Sequence, residues 1–276
     1  MISSTLEGKI QAIQEEFKTK KHVLVSFSGG VDSSVVAKLA QEALGSNAIA
    51  CTAKSETLPE LELLDSIRIA NEIGIRHEII NFSELDNPDF VNNDSFRCYH
   101  CQYMRFKKMY DLAEKMNIKT VCDGTNASDI KESHRPGLKA ISELQVFSPL
   151  LEFNVEKEDV REIARFYKLS VSEKPSMACL SSRIPTGILV TAQRLDRIEK
   201  AEKMIYDLGF SQVRVRDQNG TARIEVGQKE LHMTMSSSFK KQTKEYLLNI
   251  GFDQVIVDPM GYRPGGANKP LTTEPL

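Results

Sequence analysis

Two sets of residues in this sequence have the types and the spacing to do chemistry. The first is residues 28–34, Ser-Gly-Gly-Val-Asp-Ser-Ser. Gly29 and Gly30 let the backbone approach an anion closely, and the hydroxyls of Ser28, Ser33 and Ser34 add donors. Asp32 can hold a hard cation such as Mg²⁺. Residues 22–27 (HVLVSF) read as a short buried strand and residues 31–44 as a helix. The loop therefore meets a helix N-terminus, where the first N–H groups lack internal partners and attract anions. It is not a Walker A loop, because the Lys-Ser/Thr ending is missing. Without that lysine, such a loop can hold two phosphates as a departing pyrophosphate and leave the α-phosphorus open. Mg²⁺ at Asp32 would favour the leaving group.

The second set is three of the five cysteines, Cys98 and Cys101 in a C-x-x-C pair and the separate Cys179. Thiolates are the usual ligands of iron–sulfur clusters. C-x-x-C places two sulfurs close together, and Cys179 brings a third from a distant loop. Three thiolates suit a [4Fe–4S] cluster with one iron open to an extra sulfide. The alternatives are structural zinc with a fourth ligand, a redox C-x-x-C disulfide with a sacrificial or persulfidic Cys179, and three unrelated thiols. His100, inside the pair, reads as a solvent or neighbouring group rather than a ligand. Cys51 and Cys122 fall in apolar runs and read as small buried hydrophobes.

The elements that must position these residues are legible in the pattern. Strands are predicted at 22–27, 48–53, 76–80 and 120–123, and helices at 31–44, 59–73 (closed by Gly74), 106–116 and 156–167. Strands alternating with helices predict an α/β domain with a parallel sheet covered on both faces. Ligands bind such sheets outside the carboxyl ends of the strands. Three marked segments fall there: SGGVDSS, AKSET and DGTNASD. Residues 1–172 are expected to form this domain, with 173–187 as a connecting active-site loop. Residues 188–276 change rhythm: a helix at 192–208, the strand GFSQVRVRD, a hairpin signal at Asn219-Gly220, a strand at 221–226, a helix ending at Asn249, then GFDQVIVD. They predict a smaller α+β domain, of ferredoxin-like form, for substrate binding or oligomerisation. The Gly/Pro-rich tail after Gly261 is expected to be partly disordered.

Composition sets limits. The chain has 276 residues, 41% hydrophobic and 27% charged, with a formal net charge of -2. That is ordinary for a globular protein and gives no global basic field for nucleic acid. No apolar run reaches the roughly 20 residues that span a bilayer, and the N-terminal segment reads as a charged amphipathic helix rather than a signal peptide. The expectations are no membrane partner, no nucleic acid and a cytoplasmic location.

The full string SGGVDSS resembles the loop of the PP-loop ATP pyrophosphatases, the adenine nucleotide α-hydrolase-like group that includes GMP, NAD and argininosuccinate synthetases and the tRNA thiolases. The resemblance implies that ATP activates an oxygen as an adenylate and that nitrogen or sulfur then displaces AMP. It also implies that Ala53 to Glu56 border adenine and that Asp123, Gly124 and Thr125 close over the nucleotide. RCYHC (97–101), RPGLKA (135–140), ACLSSRIPTG (178–187), VRVRD and ARIEV, in order with SGGVDSS and DGTNASD, make nearly the whole chain similar to the LarE family.

That family serves synthesis of the nickel-pincer nucleotide cofactor of lactate racemase. The resemblance implies adenylation of the carboxylates of pyridinium-3,5-biscarboxylic acid mononucleotide and replacement of oxygen by sulfur. Ser182, Arg183, Arg214 and Arg216 would hold the substrate phosphate. Glu202 and Glu225 match acidic positions tied to a metal. Read without the family, Arg214 and Arg216 are one solvated sheet face and the two glutamates surface carboxylates. Arg135 and Lys139 would meet phosphates or lie in a solvated loop. The best-known branch sacrifices one cysteine near the Ser-Ser-Arg segment. Cys179 does not fall cleanly on that pattern, and the C-x-x-C pair points to the cluster-dependent branch. The sulfide donor is left open, and the family implies a homo-oligomer, with a hexamer among the forms. A PP-loop tRNA thiolase, a sacrificial-cysteine LarE and an ammonia-using synthetase are the rivals.

Overall fold

The structure, a computed structural model, describes residues 2–131, 135–175, 177–263 and 265–268. In chain order its helices and strands are α1 (Ser4–Lys20), β1 (Val23–Ser26), α2 (Val31–Leu44), β2 (Ala48–Lys54), α3 (Glu60–Ile73), β3 (Arg76–Asn81), α4 (Pro88–Val91) and α5 (Arg97–Lys115). There follow β4 (Thr120–Cys122), α6 (Pro136–Glu143), α7 (Pro149–Glu152), α8 (Lys157–Phe166), α9 (Ala192–Asp207), β5 (Val213–Gln218), β6 (Thr221–Val226), α10 (Ser237–Asn249) and β7 (Gln254–Val257). They form two compact units: residues 1–83 with 98–177, and residues 84–97 with 178–276.

In the first unit four parallel strands run in the order β3-β2-β1-β4. β1 is central, so Val23 and Val25 point to one face and Leu24 to the other. On the first face they meet Leu6, Ile10, Ile13 and Phe17 of α1, the inner side of α2, and Val160, Ile163 and Ala164 of α8. On the second, Leu24 packs with Ile49, Phe106, Met109, Ala113 and Val121. Each fully buried aliphatic or aromatic side chain contributes about 1.5–3 kcal/mol. Both faces of β1 are thus covered, whereas edge strand β3 stays half-exposed. The site segments follow from this order: the loops after β1, β2 and β4 all leave the carboxyl ends of neighbouring strands.

Helix α5 begins nine residues before the predicted start at 106. RCYHCQYM lacks an apolar stripe because that turn does not face the core. Cys98 and Cys101 therefore stand three apart on one helix face rather than in a loop.

In the second unit β5 and β6 form the antiparallel hairpin expected at Asn219-Gly220, while β6 and β7 are parallel neighbours joined through α10. A ferredoxin-like sheet would set those strands apart, so the ferredoxin-like expectation is corrected to a three-stranded mixed sheet. Residues 84–97, an excursion from the first half of the chain, belong to this unit. Asn93 binds them to it: its buried amide donates to the carbonyls of Pro185 at 2.7 Å and Ile188 at 2.8 Å, and its own carbonyl accepts from Gly187 N at 2.9 Å. Of the tail, residues 266–268 form a short 3-10 turn with Ala267 buried. Residues 269–276 lie outside the described residues. No described helix is long and apolar enough to cross a membrane.

Candidate active site

The loop between β1 and α2 is shaped by its neighbours before any ligand arrives. Gly29 has φ +68°, and a Cβ there would lie 2.9 Å from the Ser66 Cα in α3. Only glycine meets both demands. Lys174 pins this side: its ammonium donates to Glu62 at 3.0 Å and Asp65 at 2.8 Å and reaches the Gly29 carbonyl at 3.5 Å. Burial raises the Asp65 carboxyl, but Lys174 and Arg68 beside it outweigh that and hold it below its ordinary range. The hydroxyls of Ser28 and Ser33 lie 3.2 Å apart, and Ser33 Oγ accepts from Ser28 N at 3.2 Å. Gly30 is the N-cap of α2 and provides no side-chain cap, so the first N–H groups of the helix remain available to an anion.

The loop after β4 closes against the same helix. A Cβ on Gly124 would come within 2.8 Å of Ser33 N. Asp123, buried, accepts from Ser148 Oγ at 2.7 Å and from Thr125 N at 3.2 Å. Burial raises its carboxyl above the ordinary value despite these donors. Asn126 Nδ2 donates to Asp32 at 3.1 Å, and Lys157 Nζ forms a 2.5 Å ion pair with the other Asp32 oxygen. Lys157 and Lys174 were not found in the sequence, since nothing local marks a lysine that reaches a loop over 100 residues away.

A cavity of about 540 Å³ opens here, within the size range of small-molecule sites. Ser28, Gly30, Asp32, Ser33, Gly124 and Thr125 line it, and so do Cys98 and Arg105 of α5 and Arg135. The remaining residues expected at the nucleotide are placed differently. Gly29 lies behind the loop against α3, Ser34 is fully buried in α2, and Ala53 packs at the edge of the second core. Arg135 pairs with Asp129 at 2.8 Å, and Lys139 is exposed beside Glu143. Asp32, an oxygen donor at the loop, suits Mg²⁺.

Cys101 is buried, and Arg105 donates to its sulfur at 3.4 Å. Two thiols on one face of a helix, with a guanidinium beside one of them, fit a thiolate-bound group in kind. Cys179, the third thiol, belongs to the second unit, where its sulfur lies 3.1 Å from Ser181 Oγ. Among the described residues no group of three or more His, Cys, Asp or Glu side chains is gathered to hold a metal ion. Cys51 and Cys122 are buried as expected.

The second unit holds a different site. Arg183 is fully buried and forks onto Glu202, with both bonds 2.9 Å, while its third nitrogen reaches the Cys179 carbonyl at 2.9 Å. Glu202 also accepts from Val215 N at 3.0 Å. Burial opposes the Arg183 charge, but Glu202 outweighs it and holds the guanidinium above its ordinary range. Arg216 donates twice to Glu225, at 3.0 and 2.8 Å, and Arg223 reaches the other Glu225 oxygen at 3.0 Å.

Arg214 and Arg216 are each 4% exposed and Glu225 is 0% exposed. The solvated-face and surface-carboxylate readings are therefore corrected: the register puts Arg214 opposite Glu225 on one covered face, and burial is tolerable because the charges pair. A cavity of about 260 Å³ lies beside this network. Ser182, Arg214 and Arg216 line it; Arg183 stands behind, holding the Ser-Ser-Arg segment. Arg97, which carried no role in the sequence, lines it too.

A parallel sheet whose central strand delivers a glycine–hydroxyl loop to an uncapped helix N-terminus defines a PP-loop ATP pyrophosphatase. The comparisons agree. Residues 3–128 match the NAD synthase family model. An uncharacterized protein of Synechocystis sp. is 37% identical over 267 residues, 97% of this chain and 99% of the relative. The pyridinium-3,5-bisthiocarboxylic acid mononucleotide synthase of Lactiplantibacillus plantarum is 32% identical over 274 residues, 99% of this chain and 98% of the relative. The tRNA-specific 2-thiouridylase of Leptospira biflexa is 26% identical over 196 residues, 57% of this chain and 51% of the relative. The chain belongs to the LarE family of ATP-dependent sulfurtransferases.

Proposed function

We propose that the chain adenylates a carboxylate of pyridinium-3,5-biscarboxylic acid mononucleotide and exchanges the activated oxygen for sulfur. Two rounds give the bisthiocarboxylic acid for which the Lactiplantibacillus relative is named. The observation that carries this reading is the thiol of Cys98 in the wall of the cavity lined by Ser28, Gly30 and Ser33. Phosphate-loop donors and sulfur chemistry meet there.

In this reading a substrate carboxylate oxygen attacks the α-phosphorus and pyrophosphate leaves. The backbone of Gly30 and the hydroxyls of Ser28 and Ser33 hold the charge that develops on the leaving group. Asp32 would hold Mg²⁺ in place of its ion pair with Lys157, and Gly124 and Thr125 border the nucleoside. A sulfur nucleophile then adds to the acyl carbon and AMP departs with the original oxygen. Ser182, Arg214 and Arg216 hold the substrate phosphate, and Arg183 fixes their segment. Cys98, Cys101 and Cys179 would hold a [4Fe–4S] cluster, which when bound supplies the sulfide. Glu202 and Glu225 serve here as counterions; a divalent ion at either would have to displace a guanidinium. The protein acts as a homo-oligomer on a small nucleotide, without nucleic acid.

A single-turnover assay tests this under anaerobic conditions, with the dicarboxylated nucleotide, ATP and Mg²⁺. Pyrophosphate, substrate mass and protein mass are followed together, alongside iron and sulfide analysis. The expected result is one pyrophosphate per oxygen-to-sulfur exchange at constant protein mass. Iron-free protein that turns over once and loses one sulfur would assign the donor role to Cys179 instead. Pyrophosphate release driven by tRNA and not by the nucleotide would sink the reading.

A further inference from the structure

We infer that Arg97 is an anion-demanding residue of the second unit's cavity and that it favours a phosphate-class ligand there. The inference rests on the reading of that cavity as the substrate's phosphate site.

Among the described residues lining the cavity there are three guanidinium groups, from Arg97, Arg214 and Arg216, and no carboxylate. Arg216 is bonded twice to Glu225, a carboxylate it shares with Arg223. Arg214 places its guanidinium carbon 5.6 Å from the centre of the Tyr262 ring and donates to the Val213 carbonyl at 2.6 Å. Arg97 differs from Arg216. Its contacts are two neutral oxygens, Asn93 Oδ1 at 2.6 Å and the Ser181 carbonyl at 2.9 Å, both through one terminal nitrogen. It forms no ion pair among the described residues.

That arrangement is built rather than incidental. The amide nitrogen of Asn93 is committed to the carbonyls of Pro185 and Ile188, so its oxygen is the atom left to face Arg97. The Ser181 carbonyl comes from the Ser-Ser-Arg segment that Arg183 anchors. Two fixed acceptors thus hold one arm of the guanidinium and leave its second terminal nitrogen and Nε for a ligand. A planar fork in that state matches the oxygens of a phosphate, and a charge partner replaces neutral acceptors. Ser182, Thr186 and Asn268 in the same wall add neutral polar groups without negative charge. Arg216, bonded to Glu225, can shape such a site. Arg97, facing only neutral acceptors, adds attraction for an anion.

The test is calorimetric titration of the full-length protein with inorganic phosphate, beside chloride at equal ionic strength. Wild type should bind phosphate, Arg97→Lys several-fold more weakly, and Arg97→Gln roughly tenfold to a hundredfold more weakly, the range for losing hydrogen bonds to a charged group. Thr186→Asp serves as a second variant. It places a carboxylate in the same wall at an exposed position, and should weaken phosphate binding with the arginine still present. Wild-type protein that ignores millimolar phosphate overturns the inference, as does Arg97→Gln binding at wild-type strength. Phosphate binding that depends on Arg97, in a protein that leaves the dicarboxylated nucleotide unchanged, would retain the inference and reject the proposed reaction.

Discussion

The loop of the first cavity and the wall of the second suit anions by opposite means, with Arg105 and Arg135 standing elsewhere in the first cavity's wall. The loop after β1 offers backbone N–H groups and hydroxyls, with its nearest ammonium, Lys157, engaged with Asp32. The cavity of the second unit is lined by arginines, of which Arg216 is bonded to the buried carboxylate of Glu225. Neutral donors stabilise charge without trapping it, which suits a pyrophosphate that must leave. Guanidinium groups hold a phosphate through several steps, which suits an anchor. The contrast makes a claim about cost as well. The first site depends on close backbone approach, the second on balanced buried charge.

The largest expected effect comes from unbalancing that charge. Glu225→Ala strips Arg216 and Arg223 of a partner that is 0% exposed. Leaving the buried Arg216 guanidinium without its carboxylate should cost about 3–5 kcal/mol, read as a large fall in thermal midpoint. A cost under about 1 kcal/mol would show that the network is balanced elsewhere and would blunt the comparison.

Next is Gly124→Ala, which attacks the first site by shape alone. The new methyl would lie 2.8 Å from Ser33 N and 3.0 Å from the Asp32 carbonyl carbon, both backbone atoms that cannot swing away. Overpacking of this kind costs about 1–3 kcal/mol, and pyrophosphate release should fall at least about tenfold as the α2 N-terminus shifts. Unchanged release would mean the two loops need not touch.

The smallest effect concerns Asp123. Burial raises its carboxyl above the ordinary 3.8, so the folded chain binds this proton more tightly than the unfolded chain. Its contribution to stability is fully present below 3.8 and is lost as pH rises through the raised native value. Asp123→Asn removes the charge that burial penalises. The variant should therefore gain thermal midpoint relative to wild type as pH is raised from 3.8 to neutrality. A difference that does not move with pH would show that the donors from Thr125 and Ser148 offset the burial.

Much of the first site was legible because it is local. A strand, a glycine-hydroxyl string and a helix follow one another, and α2 spans the predicted 31–44. The start of α5 was not, because Cys98, His100 and Gln102 turn toward no apolar core and leave no periodicity to read. The second site was half legible. Alternation put Arg214 and Arg216 on one face, but whether that face is wet depends on Glu225 across the hairpin and Glu202 on α9. The place of Arg97 depends on Asn93 holding a loop some 90 residues away, which no short-range pattern contains.

The two cysteines outside the proposed reaction have a consequence of their own. Cys51 and Cys122 stand on the strands flanking β1, in register with Ser26 and Val25. Burial, with Glu78 nearby, pushes the Cys51 thiol up to about 12, and burial holds Cys122 well above its ordinary value. Neither is nucleophilic while the sheet is closed. The nucleotide half of the chain thus carries a label for its own unfolding: two thiols that a water-soluble alkylating reagent meets only when the strands part, so that their capture rate times the opening of the sheet.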